Sequence, residues 1–236
     1  MSTLYLWVDL LTFLPPLILS FHKTMRLHRN FRVLWPAILL AAIPFLLFDS
    51  LYTYWHIWGF NPEYLIGITL GNLPLEEVMF FFCIPYACIF TYHCINYWFP
   101  MRQGRSFQRP VTVALLLLCA VMLILFPGRY YTGYAFGGAF LLLVLAEFVF
   151  RAPWLGHFYR AYLVLQIPFL IVNGILTGTG PDRPVVWYNP QHIIGWRIMT
   201  IPFEDIFYGL CMLLPAVWMF EAWRSQNPTK TQLPAG

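Results

Sequence analysis

Long apolar runs alternate along this chain with short segments that collect most of its charge. About 20 consecutive apolar residues cross a bilayer as a helix, because a helix satisfies its own backbone N–H and C=O groups where no water can. Seven such runs are predicted: 4–21, 33–54, 74–99, 111–126, 130–150, 159–178 and 202–223. The fourth is the shortest. Only Pro127, Gly128 and Arg129 separate it from the fifth, so those two read as a helical hairpin. The first run begins at Leu4 without a basic segment before it or a small-residue cleavage site after it, and reads as a retained helix, not a signal peptide.

Composition sharpens this into a class. Of 236 residues, 60% are hydrophobic, 19% aromatic and only 10% charged, against about 45–50% apolar and about 25% charged in soluble domains. So few charges cannot cover a water-soluble particle, which excludes a soluble enzyme. The aromatic content excludes disorder, and the scattered bases make no nucleic-acid surface. Of the 14 Lys and Arg, eleven fall after the first, third and fifth runs or in the C-terminal tail, and three fall on the opposite side. The positive-inside rule then places the N-terminus outside and the C-terminus inside, in a cytoplasmic (inner) membrane. Five cysteines, all within predicted spans and without metal-ligand spacing, read as small apolar packers.

Self-comparison finds an internal repeat. Ile43-Pro44-Phe45-Leu46 recurs as Ile167-Pro168-Phe169-Leu170, and the same offset superposes Asp49 on Asn173 and Thr53 on Thr177. An offset four residues longer carries Asn61-Pro62 onto Asn189-Pro190, Ile66-Gly67 onto Ile194-Gly195, and Pro74-Leu75-Glu76-Glu77 onto Pro202-Phe203-Glu204-Asp205. Each copy holds three helices. Two such units joined directly would face opposite ways, and the fourth helix, as a linker, restores one orientation to both. The expected organisation is a first repeat over 1–99, a loop and linker helix over 100–129, and a second repeat over 130–236. The expected fold is an all-α integral membrane protein of seven transmembrane helices, built from two parallel three-helix repeats, as in other membrane proteins with a repeat axis along the membrane normal.

The duplicated acids carry the chemistry. Their plain reading is helix initiation: Pro74 and Pro202 suit a first helical position, and acids in the first turn favour the positive end of the dipole. One acid would suffice for that, yet each copy keeps two adjacent ones. Ionisable groups at membrane depth are functional candidates by default, and burial without a cationic partner leaves carboxyls that share and donate protons. Successive residues on a helix point about 100° apart, so one acid of each pair projects inward while the other tunes it or caps the helix. The sequence does not choose between them. Aromatic residues in 55–73 and 179–201, among them Trp58 and Tyr188, read as an interfacial belt or as cation-stabilising pocket walls.

Several chemistries have no residues to support them. A retinal Schiff base needs a lysine in the last helix, whereas the two lysines, Lys23 and Lys230, lie outside the spans. Only His93 among the histidines sits deep in a helix, too few for an intramembrane iron site. Dinucleotide and ATP fingerprints are missing from the sequence, as is an Asp-rich diphosphate motif.

The motif P-x-E-[E/D], repeated in two three-helix units as Pro74-Leu75-Glu76-Glu77 and Pro202-Phe203-Glu204-Asp205, resembles the heterodimer-type lycopene cyclases. The stretches Phe48-Asp49 to Thr53 and Val172-Asn173 to Thr177 extend the resemblance over nearly the whole chain. This sequence resembles a fused member, one needing no obligate partner subunit. The resemblance implies an enzyme that cyclises the ψ ends of lycopene, and of related carotenoids with such ends, to β-ionone rings, giving β-carotene through monocyclic γ-carotene. It implies no cofactor and no metal. Glu76 and Glu204 are the leading acid/base candidates, with Glu77 and Asp205 close behind; Asp49, Asn61, Asn173 and Asn189 are expected around them. The competing classes are a proton-coupled transporter and a non-catalytic carotenoid- or isoprenoid-binding membrane protein.

Overall fold

A computed structural model describes residues 3–100 and 105–226; Arg102 and Lys230, two of the bases counted for orientation, lie outside the described residues. Seven helices dominate: α1 (Leu4–Leu19), α2 (Phe31–Tyr54), α3 (Leu75–Trp98), α4 (Arg105–Leu125), α5 (Tyr130–Val144, continued by a π turn over Leu145–Val149), α6 (Leu155–Thr177) and α7 (Glu204–Gln226). Six of these are long and apolar enough to cross a membrane. The chain is an all-α membrane protein, and its interior prolines (Pro44, Pro85, Pro168 and Pro215 among them) are of the kind such helices tolerate.

The short helix is α1, not α4. Its 16 residues span about 24 Å at 1.5 Å per residue, less than the hydrocarbon thickness of about 30 Å. Helix α4 starts before Pro110 instead of after it, because its polar residues find partners inside the bundle. Gln108 donates to Glu147 (2.6 Å) and accepts from the Gly156 N–H (3.2 Å), while Thr112 pairs with Tyr159 (2.7 Å). In an unbroken helix Glu147 would face Arg151 four residues on; here its partner is Gln108. The π turn and the left-handed backbone of Arg151 (φ 50°) break the i,i+4 spacing on which that pairing depended.

Equivalent elements pack equivalently: α1 lies along α3 and α5 along α7, while α2 crosses to α7 and α6 crosses to α3. Helix α4 packs on α5 and α6. Ahead of α3, β2 (Thr69–Leu70) and β3 (Leu73–Pro74) form a hairpin; β5 (Arg197–Ile198) and β6 (Ile201–Pro202) form its copy ahead of α7. Gly67 and Gly195 occupy the same repeat position with φ of 87° and 91°, where a side chain would be strained.

The third strand pair joins the two repeats. β1 (Trp58–Phe60) runs antiparallel to β4 (Val186–Tyr188), with Gly59 opposite Trp187, its own repeat equivalent. The flanking bonds are reciprocal: the Asn61 N–H donates to Val185 O and the Asn189 N–H to Ile57 O, both at 2.8 Å. A local two-fold axis therefore passes through this sheet, as parallel repeats require. The close approach also fixes residue type, since a Cβ on Gly59 would lie 2.4 Å from the Trp187 ring.

Candidate active site

The acids of the two motifs occupy the first turns of α3 and α7 and are all buried. Within each pair the two carboxyls do different things. Glu76 Oε1 accepts from the Ile66 N–H (2.6 Å), and Glu204 Oε1 from the Ile194 N–H (2.5 Å) and the Thr132 hydroxyl (2.8 Å). Both of these first acids fasten the loop ten residues upstream of their own helix. Glu77 and Asp205, one helical step further round, instead line a single cavity together with Asp49 and Asn173. The inward acid is thus the second of each pair, although the sequence reading ranked the first ahead of it.

The surroundings of the two inward acids differ. Glu77 accepts from the Tyr5 hydroxyl (2.5 Å), and the carboxyl of Asp49 lies close enough to interact with it. Asp49 is 2% exposed, and its Oδ2 has no donor among the described residues. Asp205 accepts three hydrogen bonds, from the Tyr131 hydroxyl (2.6 Å), the Asn173 amide (2.7 Å) and the Tyr188 hydroxyl (3.0 Å). Burial, reinforced by the Asp205 carboxylate, pushes the Tyr188 phenol well above its usual range, so this hydroxyl stays a donor in neutral and mildly alkaline solution.

Asn61 and Asn189 stand apart from the cavity. Asn61 Oδ1 accepts from the Glu63 N–H (3.1 Å) and Asn189 Oδ1 from the Gln191 N–H (3.0 Å), each shaping its own turn. Conversely, Tyr5 and Tyr131 escaped the sequence reading. They belong to no motif, yet superposing the starts of the first and fifth spans would have aligned them as repeat equivalents. Asp9, one helical turn beyond Tyr5, is fully buried, and neither carboxyl oxygen has a hydrogen-bond partner among the described residues.

The cavity has a volume of about 380 Å³. Trp58, Phe60 and Tyr188 from the inter-repeat sheet border its acidic end. From there it follows α3 down from Glu77 to Thr91, about 21 Å of helix, between apolar walls that include Ile84, Cys88, Leu165 and Phe169. A slot of this shape suits one end of a long hydrocarbon, with carboxyls at one end and π faces (Trp58, Phe80, Tyr208) among its lining.

A comparison with curated proteins and one with solved structures return no significant match. A family model described as lycopene cyclase matches residues 2–95 and 128–223. Those stretches hold α1 to α3 and α5 to α7 with both acidic pairs, and the unmatched interval holds α4. With both repeats matched, each supplying the second acid of its motif to a shared cavity, the chain belongs to the lycopene cyclase family.

Proposed function

We propose that this chain is a lycopene β-cyclase that converts ψ ends to β-ionone rings by acid/base catalysis without a cofactor. The observation that carries the reading is the meeting of Glu77 and Asp205 at one apolar cavity with unlike hydrogen-bond partners. Cyclisation of a lycopene end is an isomerisation. A proton is added at C2 of the terminal C1=C2 bond, leaving a tertiary cation at C1. The C5=C6 π electrons close the C1–C6 bond and move the charge to C5. Loss of the C6 proton then forms the β ring, with one proton taken up and one released.

Two buried carboxyls side by side, with no cation between them, favour keeping one proton. The Asp49–Glu77 pair is the acid of this scheme. Asn173, Tyr131 and Tyr188 present only donors to Asp205, the pattern that favours a carboxylate, so Asp205 is the base. The aromatic faces near the carboxyls stabilise the passing cation, and an apolar site denies it water, which would capture it as an alcohol. Glu76 and Glu204 act through the loops they fasten. Residues 1–99 and 130–236 are the two cyclase units, with 100–129 as loop and linker. The chain sits with its N-terminus outside the cytoplasmic membrane, an orientation supported by the distribution of Lys and Arg.

The test is production of the protein in a lycopene-accumulating host with analysis of the pigments. Conversion to γ- and β-carotene is expected; unchanged lycopene beside folded, membrane-inserted protein would refute the reading. Cyclisation in deuterated water should place deuterium at ring C2.

A further inference from the structure

The repeat axis implies two equivalent clefts leading to the acids, one bordered by α1 and α6 and the other by α5 and α2. They are not equally open. Between α5 and α2 the space is filled by rings: Tyr134 lies 4.6 Å from Phe48 and 5.6 Å from Tyr52, and Phe45 lies 5.7 Å from Tyr208. At the equivalent positions of the other cleft, Tyr134 is matched by Val8, Phe48 by Val172 and Tyr52 by Leu176. Val172 and Leu176 line the cavity. Three aromatic rings on one side are thus three aliphatic side chains on the other, and the difference in volume is where the cavity runs.

The open cleft faces the bilayer. Leu11 on α1 and Pro168 on α6 both line the cavity and are both exposed on the surface that lipid covers. An apolar chain can enter sideways between α1 and α6 without crossing water. At the acids it stops under the inter-repeat sheet, and the side through which it would otherwise continue is plugged by Phe48, Tyr52 and Tyr134.

We infer that the chain takes one ψ end of a carotenoid at a time, through the α1–α6 opening, and that a second ring requires the monocyclic product to leave and re-enter by its other end. The inference rests on the cyclase reading and extends it, since two rings could equally be made by two sites or by sliding the substrate through. The second cleft has kept its helices and lost its space.

Membranes containing the protein can be given a short pulse of deuterium-labelled lycopene, then about a tenfold excess of unlabelled lycopene. Label should remain in monocyclic carotenoid, and labelled bicyclic product should fall roughly tenfold relative to an unchased sample, because the released intermediate competes for the site by mass action. Labelled bicyclic product undiminished by the chase would overturn the inference while leaving the cyclase reading intact. Absence of any cyclised pigment would remove the cyclase reading itself. As a second arm, Val172→Phe, which copies the plug into the open cleft, should lower cyclisation at least tenfold at unchanged levels of folded protein; full activity in that variant would place the substrate elsewhere.

Discussion

The acid corners of the two repeats share one pattern and differ at a few positions, of which the residue facing the inward acid bears most directly on its proton. In the first, Glu77 faces Asp49; in the second, Asp205 faces Asn173. Adjacent buried carboxyls favour retaining a proton between them, whereas an amide opposite a carboxyl donates a hydrogen bond that favours the carboxylate. Each repeat carries a copy of the corner, and in the proposed mechanism the Asp/Asn difference gives the copies opposite tasks. The lesson is that in a fused repeat the informative positions are those where the copies disagree.

The comparison can be broken first at the acids themselves. Glu77→Gln and Asp205→Asn should each reduce cyclisation by about 100-fold or more, the usual range for loss of a general acid or base, as measured by pigment yield per folded protein. Glu76→Gln and Glu204→Gln keep an acceptor oxygen for the loop N–H and should retain cyclisation. If they were as inactive as the inner pair, the division between inward and loop-fastening acids would fail. Next comes the facing residue. Asp49→Asn makes the first corner resemble the second and should cost about tenfold or more in rate, and adding Asn173→Asp should not restore it unless the tasks have exchanged; the same pigment assay reads both. Tyr188→Phe removes one of three donors to Asp205, a change of about 1.5–3 kcal/mol for a bond to a charged group, and should lower the rate without lowering the amount of folded protein. The smallest effect is expected at Asn61→Ala, which loses a turn-shaping bond worth about 1 kcal/mol and should shift thermal stability while pigment conversion is kept.

Much of this architecture can be read from hydropathy and self-comparison, because spans and repeats are periodic or contiguous along the chain. Helices α2, α3, α5, α6 and α7 fall within a few residues of expectation. Other features depend on partners distant in sequence. The β1–β4 pairing joins residues about half a chain apart, and strands so short have no pattern of their own. The early start of α4 depends on Gln108 and Thr112 meeting Glu147, Gly156 and Tyr159. The choice between Glu76 and Glu77 depends on where the Ile66 N–H lies, and a helical wheel does not contain that information. Tyr5 and Tyr131 were legible in principle, as repeat equivalents at the starts of their helices, but a lone tyrosine in an aromatic-rich membrane chain gives no signal by itself.

The sheet through the repeat axis has a consequence for assembly. Each half contributes one strand of three residues, and Gly59 is bare so that the indole of the other half can lie against it. A half alone would leave a strand edge with unpaired N–H and C=O groups near its acidic pair, and those groups would draw water to the place where the proposed mechanism requires a carbocation to stay dry. The unit that can hold such an intermediate is therefore the closed pair. Cutting the chain within the α4 linker should leave two fragments, each silent when expressed separately and active only when they find one another.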